Sequence, residues 1–175
     1  MTLKIPLDSF VTSDTHISHK KIMEYQPNRK FTSLEEHDKY LIDIWNKTIP
    51  PKATVFHVGD FIFYDRDFSI LEKLNGKIIL IKGNHDHKIN KVLETHDYLK
   101  VIYNGIPIVL CHYPIQSWDQ KSHSSMHFHG HEHCRGTHMI NRIDVGVDGN
   151  DSLRPYSFDE LIDQRIIVNN IRTYD

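Results

Sequence analysis

The sequence predicts an α/β domain. Short apolar runs alternate with helical stretches along the chain. One run, Ile78-Ile79-Leu80-Ile81, is apolar throughout, as in a strand covered on both faces. The composition is 39% hydrophobic and 25% charged, that of an ordinary globular protein. The chain has 175 residues, which suits one domain over 1–175 with a core of its own.

The elements follow in order. Asp8 to Thr12 is a first strand. Ser33-Leu34-Glu35-Glu36 has the form of a capping box, with Ser33 accepting from the Glu36 amide and Glu36 reaching back. Leu34, Leu41, Ile44 and Trp45 then fall at helical spacing, which predicts a helix over Leu34 to Lys47. Ala53 to Val58 is a second strand. Phe68 to Leu74 is a short helix, stopped by Asn75-Gly76 in a left-handed cap. Lys77 to Lys82 is a third strand. Lys100 to Tyr103 and Ile106 to Cys111 flank Asn104-Gly105, a strong hairpin signal. Ser125 to His129 and Met139 to Val145 read as further strands. Ser157-Phe158-Asp159-Glu160 is a second capping box, opening a helix to about Gln164.

Composition narrows the functional classes. The formal charge is −2 and the pI about 6.7, so no basic excess announces a long nucleic-acid partner. Two cysteines, Cys111 and Cys134, are too few for a disulfide framework. No stretch approaches the ~20 apolar residues of a membrane span. No apolar leader follows the N-terminal methionine. The expectation is a cytoplasmic protein without a membrane partner; oligomeric state is left open. Fourteen histidines are unusual in a chain of this length, and histidine is the commonest metal-binding side chain.

Polar clusters recur where strands end. Asp14-Thr15-His16 follows the first strand, Gly59-Asp60 the second, and Gly83-Asn84-His85-Asp86 the third. His112 follows the strand ending at Cys111, and Gly130-His131-Glu132-His133 follows the strand ending near His129. Singly, each has a plain explanation as a turn or a packed histidine. Together, in this order and always after a strand, chance is a poor account, since ligands in α/β folds gather beyond the carboxyl ends of strands. The chemistry also needs such a set. Two cations about 3.5–4 Å apart can clamp the attacking and leaving oxygens of a phosphoryl group, and a carboxylate can bridge them. Imidazoles suit manganese, iron, cobalt, nickel or zinc, with manganese the first expectation.

The series resembles the calcineurin-like metallophosphoesterase superfamily, whose pattern is Asp-x-His, Gly-Asp, Gly-Asn-His-Asp/Glu, a lone His and Gly-His-x-His. All five lie in order between Asp14 and His133; the residues beyond carry no motif of the family. The resemblance implies two packed, mixed β-sheets flanked by helices. It implies two divalent metal ions, one held by Asp14, His16, Asp60 and His133. The other would be held by Asp60, Asn84, His112 and His131. His85 would face the substrate as acid or charge stabiliser, with Asp86 orienting its ring. The chain departs from the protein Ser/Thr phosphatases, which carry Gly-Asp-x-Val-Asp-Arg-Gly where this chain has Gly59-Asp60-Phe61-Ile62-Phe63. It looks most like the small, single-domain bacterial and phage members.

The expected function is metal-dependent hydrolysis of a small phosphodiester or nucleotide-like ester, with a phosphomonoester as the alternative. Three residues are candidate substrate contacts: His19 near the first motif, Arg29 as a phosphate fork, and Trp118 as a stacking face. His127 and His129 share one strand face by period two and read as packing or surface residues. Three other classes compete. A zinc-binding structural module lacks paired ligand spacings. A non-catalytic scaffold of the same fold would have lost ligands, and none is missing. A zinc peptidase would need a second histidine where Arg135 stands.

Overall fold

The computed structural model describes residues 2–63 and 67–163. Among these residues, ten strands form two five-stranded sheets. The strands are β1 (Thr2–Lys4), β2 (Phe10–Thr12), β3 (Thr54–His57), β4 (Lys77–Ile81), β5 (Glu94–His96), β6 (Leu99–Tyr103), β7 (Ile106–Leu110), β8 (Met126–His129), β9 (Arg142–Asp144) and β10 (Tyr156–Ser157). One sheet runs β10-β2-β3-β4-β5 and the other β1-β6-β7-β8-β9. In the first, β10 is antiparallel and the rest parallel. In the second, only the β6–β7 hairpin is antiparallel. Helices flank them: α1 (Ile22–Tyr25), α2 (Leu34–Thr48) and α3 over 158–163. This is the mixed two-sheet α/β sandwich expected.

Strand period two builds the layers. Phe56, Ile79 and Ile81 face inward and meet Val101, Leu110, Met126 and Phe128 of the other sheet. Val55, Ile78 and Leu80 point outward onto Leu41 and Trp45 of α2. The middle strands of the first sheet are thus covered on both faces, which is why β4 is apolar throughout. Helix α2 begins at Ser33, whose side chain accepts from the Glu36 amide at 3.1 Å. The Glu36 carboxylate reaches the Thr32 amide at 2.8 Å, so the box closes one residue earlier than expected. At α3 the box is reciprocal, with Glu160 N to Ser157 Oγ at 3.2 Å and Ser157 N to Glu160 Oε2 at 3.3 Å.

Some elements differ from expectation. Residues Phe68–Lys73 form a 3-10 helix, its N-terminus held by Asp67. The strand expected over Met139–Val145 shortens to β9, because Asn141 adopts φ 63° and Met139 turns back onto Arg142. Edge strands β1 and β5 lacked a sequence signal; their stability comes from pairing with β6 and β4. The expected end of α3 at Gln164 lies outside the described residues. Among the described residues, no helix is long and apolar enough to cross a membrane.

Candidate metal centre

Every one of the five clusters leaves the end of a strand and turns sharply. Asp14, His16, Asp60, His131 and His133 all hold left-handed φ, at 56°, 49°, 55°, 73° and 48°. Such backbone costs of order 1–3 kcal/mol per non-glycine residue and concentrates at functional sites. The motif glycines make the close approach possible. Gly59 has φ +94°, and a Cβ there would stand 2.7 Å from the Gly83 amide and 2.4 Å from His112 Nδ1. A Cβ on Gly130 would overlap Ser13 Oγ and Asp14 Oδ2.

Among the described residues, three groups of donor atoms result, each within 4.8 Å: Asp14, His16 and His133; His16, Asp60 and His85; Asp60, His112 and His131. Asp60 lies at the junction, its Oδ2 at 3.6 Å from His16 Nε2 and 3.5 Å from His112 Nε2. Asn84 joins through Oδ1, at 3.1 Å from His131 Nδ1. His112 Nδ1 donates to Val58 O at 2.7 Å. The bond commits Nδ1 and leaves Nε2 as the available ligand atom. Both nitrogens of His16 and His112 Nε2 are buried without a hydrogen-bond partner. Buried polar atoms are normally paired, so these orphaned nitrogens fit a divalent cation.

Electrostatics agrees. Burial pushes the Asp14 carboxyl up to about 7, with His133 and His112 opposing. Burial works against charge on His112, yet the facing Asp60 and Asp14 carboxylates push it up to about 9. Asp60 is held well below the usual carboxylate range by His112 and His16 despite its burial. Buried carboxylates in such a cluster need compensation, by protons or by cations.

The remaining expected residues sort themselves. His85 is half-buried, its backbone N–H donating to Asp60 Oδ1 at 3.0 Å and its Nε2 3.9 Å from Asp60 Oδ2. Asp86 does not orient the His85 ring. Its carboxylate accepts from the backbone amides of Asp60, Phe61 and Gly83 at 2.7, 3.0 and 2.8 Å, tying two ligand loops together. His19 stacks on Phe63 at 3.5 Å and lies 5.3 Å from the His16 ring, at the edge of the cluster. Arg29 is not a substrate-facing fork. It is 1% exposed, and its five N–H donors meet Asp148, Asp14 O, Thr15 O and His37. Trp118 is buried, its indole N–H turned to Ser125 and its ring on His127, so it offers no open stacking face. His127 and His129 pack 5.4 Å apart beside it, buried.

Two residues lacked any reading in the sequence. Asp148 accepts from His133 Nδ1 at 2.7 Å. Tyr113, 45% exposed, sets its ring 4.9 Å from His131. The signal for Asp148 existed, since Asp148-Gly149 follows β9 as the other clusters follow their strands.

No family model matches the chain. An uncharacterized protein of Methanocaldococcus jannaschii is 35% identical over 129 residues, 71% of this chain and 69% of that protein. The Gene 66 protein of Mycobacterium phage L5 is 28% identical, across 94% of this chain and 95% of its own. Among solved structures, a protein of unknown function from Aquifex aeolicus superimposes with a TM-score of 0.70 at 25% identity, over 92% of this chain and 99% of its own. The sandwich brings the five ordered clusters together as one set of histidine and carboxylate donors that could hold metal ions. The chain belongs to the same family as the Methanocaldococcus jannaschii protein.

Proposed function

We propose that the protein hydrolyses a phosphate ester at a dinuclear metal centre, and that the substrate is a small phosphodiester or nucleotide-like ester. The observation that carries this reading is the shared carboxylate: Asp60 Oδ2 lies within 3.6 Å of His16 Nε2 on one side and His112 Nε2 on the other. One bridging anion between two sets of nitrogen and oxygen donors suits a cation pair, whereas a structural zinc would take one closed set of four. Asp14, His16 and His133, with Asp60, would hold one cation. Asn84, His112 and His131, with Asp60, would hold the other. Manganese is the first candidate, with iron, nickel, zinc and cobalt compatible with the donors.

When bound, the cations supply charge that stabilises phosphoryl oxygens and bring the pKa of water toward neutrality. The chain's own residues do the rest. Asp14 and Asp60 set the charge of the site, both with a carboxylate oxygen within 4.0 Å of His16 Nε2. His85 stands beside Asp60 with part of its ring in solvent, placed to hold a proton near the departing ester oxygen. That proton matters most for a poor leaving group such as the alkoxide of a diester. A net charge of −2 gives a long polyanion little general attraction. The exposed Tyr113 ring beside His131 offers an aryl or base group a surface to lie on.

Metal-depleted protein resupplied with Mn²⁺, Ni²⁺, Zn²⁺ or Mg²⁺ should hydrolyse bis(p-nitrophenyl) phosphate or cyclic nucleotides with higher kcat/KM than p-nitrophenyl phosphate, a phosphopeptide or DNA. A preference for p-nitrophenyl phosphate moves the assignment to a phosphomonoesterase. Two bound metals with no hydrolysis of any ester would leave a non-catalytic scaffold.

A further inference from the structure

We propose that Asp148 and Arg29 are a positioning pair that builds one half of the metal centre, the half formed by Asp14, His16 and His133. The inference rests on the reading that these three residues hold a cation.

Asp148 lies in the 3-10 turn Val147–Gly149, just past β9, and its side chain is almost wholly buried. Its Oδ1 accepts from Arg29 Nε at 2.8 Å and its Oδ2 from Arg29 Nη2 at 2.8 Å, a two-pronged pair. The same Oδ2 accepts from His133 Nδ1 at 2.7 Å. A carboxylate can only accept, so Nδ1 carries the proton and Nε2 is the nitrogen left for a cation. The His133 ring then stacks on His16 at 5.2 Å and 20°.

Arg29 carries the constraint to the other ligands. Its Nη2 donates to Asp14 O at 2.6 Å and its Nη1 to Thr15 O at 2.8 Å. These are the carbonyls inside the Asp14-Thr15-His16 turn, where Asp14 and His16 hold φ 56° and 49°. Strained backbone persists only where its surroundings over-determine it, and one guanidinium grips both peptides. Behind Arg29 stands His37, whose Nε2 faces Nη1 at 3.3 Å. His37 Nδ1 meets Asp38 Oδ1 at 2.8 Å. The Asp38 carboxylate in turn accepts from the Ser18 amide at 3.1 and 3.0 Å. Helix α2 thus holds the far end of the same turn. The other half is held differently among the described residues: the His131 backbone N–H donates to the Asp14 carboxylate at 3.2 and 3.0 Å, its ring meets Asn84, His112 and Tyr113, and Asp86 ties the Asp60 and Gly83 loops through their amides.

The asymmetry makes the inference testable. Mn²⁺ or Co²⁺ is titrated into metal-free parent protein and the variants, with calorimetry for stoichiometry and affinity and the visible Co²⁺ spectrum for ligand geometry. Asp148→Asn should weaken one of two sites by roughly 10–100-fold, the usual effect of losing a partner behind a ligand, and leave the other near its parent affinity. Asp148→Glu, which keeps the charge, should recover part of the loss. Arg29→Lys should act on the same site, because an ammonium lacks the fork that spans a carboxylate and two carbonyls. Ser33→Ala serves as the control for general destabilisation: it should lower Tm without separating the two affinities. If the parent binds two ions and Asp148→Asn and Arg29→Lys both bind them as tightly, or lose both equally, the positioning role is overturned while the dinuclear reading stands. A parent that binds no ion overturns both. Should Asp148→Asn fail to fold, Arg29→Lys and Asp148→Glu give the same comparison.

Discussion

His85 occupies an ambiguous place among the donors. Its Nε2 is 3.9 Å from Asp60 Oδ2, and it forms a possible donor group with His16 and Asp60. Yet its side chain is 36% exposed, against 3% for His16 and none for His112. Asn84 and His131 are exposed as well, so exposure alone does not sort ligand from acid; it leaves the His85 ring reachable by substrate, the role proposed above. His85→Ala is therefore expected to retain both metals and to lose roughly 10²–10⁴ in turnover, the usual worth of a positioned acid or base. The loss should shrink with p-nitrophenolate leaving groups, which need no proton. Metal analysis of the purified variant decides the matter, because a missing ion would make His85 a ligand. Asp86, next to it, acts on backbone: the three amides it accepts hold the Asp60 and Gly83 loops in register.

Helix α2 shows how local chemistry and tertiary packing divide an element between them. Its start is set by Ser33 and Glu36, and its buried face by Leu41 and Trp45 against Val55, Ile78 and Leu80. Trp45 also donates its indole N–H to Asn75 O at 2.9 Å, closing the end of the following 3-10 segment onto the helix. Removing the cap with Ser33→Ala should cost about 1 kcal/mol. Urea denaturation should show a lower midpoint with an unchanged slope, since the surface exposed on unfolding is the same. A change in slope would mean that the helix frays in the folded state.

At the level of the whole molecule, burial keeps His57 and His127 neutral. His57 is pushed down to about 3 and His127 to about 4, in both cases by burial first. An unfolded histidine titrates near 6.5. The folded protein therefore binds fewer protons than the unfolded chain below that pH, so their contribution is full above about 6.5 and is lost as the pH falls toward 4 and 3. Each such histidine adds about 1.4 kcal/mol per pH unit to the slope of stability. Asp14, pushed up to about 7, acts the other way in the metal-free protein, where its contribution is lost as pH rises through 7. The diagnostic is thus the difference between parent and His127→Asn, which keeps a donor for Val109 O. Between pH 6.5 and 4, metal-free variant should lose stability less steeply than metal-free parent, by about one histidine's worth; equal slopes would show that His127 is charged in the folded state. His127 lies on the outer face of the second sheet beside Trp118 and His129 and is in none of the donor groups, so its titration reports on the fold.

Much of this protein is written locally. The capping boxes at Ser33 and Ser157, the Asn104-Gly105 hairpin and the apolar β4 each depend on residues within a few positions of one another, and all are legible in the sequence. The same holds for the candidate metal ligands, because every cluster announces itself at the end of a strand. Tertiary structure decided the rest. Arg29 and Asp148 stand 119 positions apart, and nothing near either one tells of the other, so the sequence admitted a phosphate fork where the fold placed a clamp on the Asp14 turn. Trp118, open to stacking by its type alone, is covered by Ser125 and His127. Asp86 was free to face either the His85 ring or the amides of a loop 25 positions away, and only the crossing of that loop selected the amides. Edge strands β1 and β5 have their partners in β6 and β4. The division has one physical reason: propensity, capping and side-chain period act over a turn or two of chain. The partner of a buried charge, or of an edge strand, is chosen by whatever the folded chain brings alongside it.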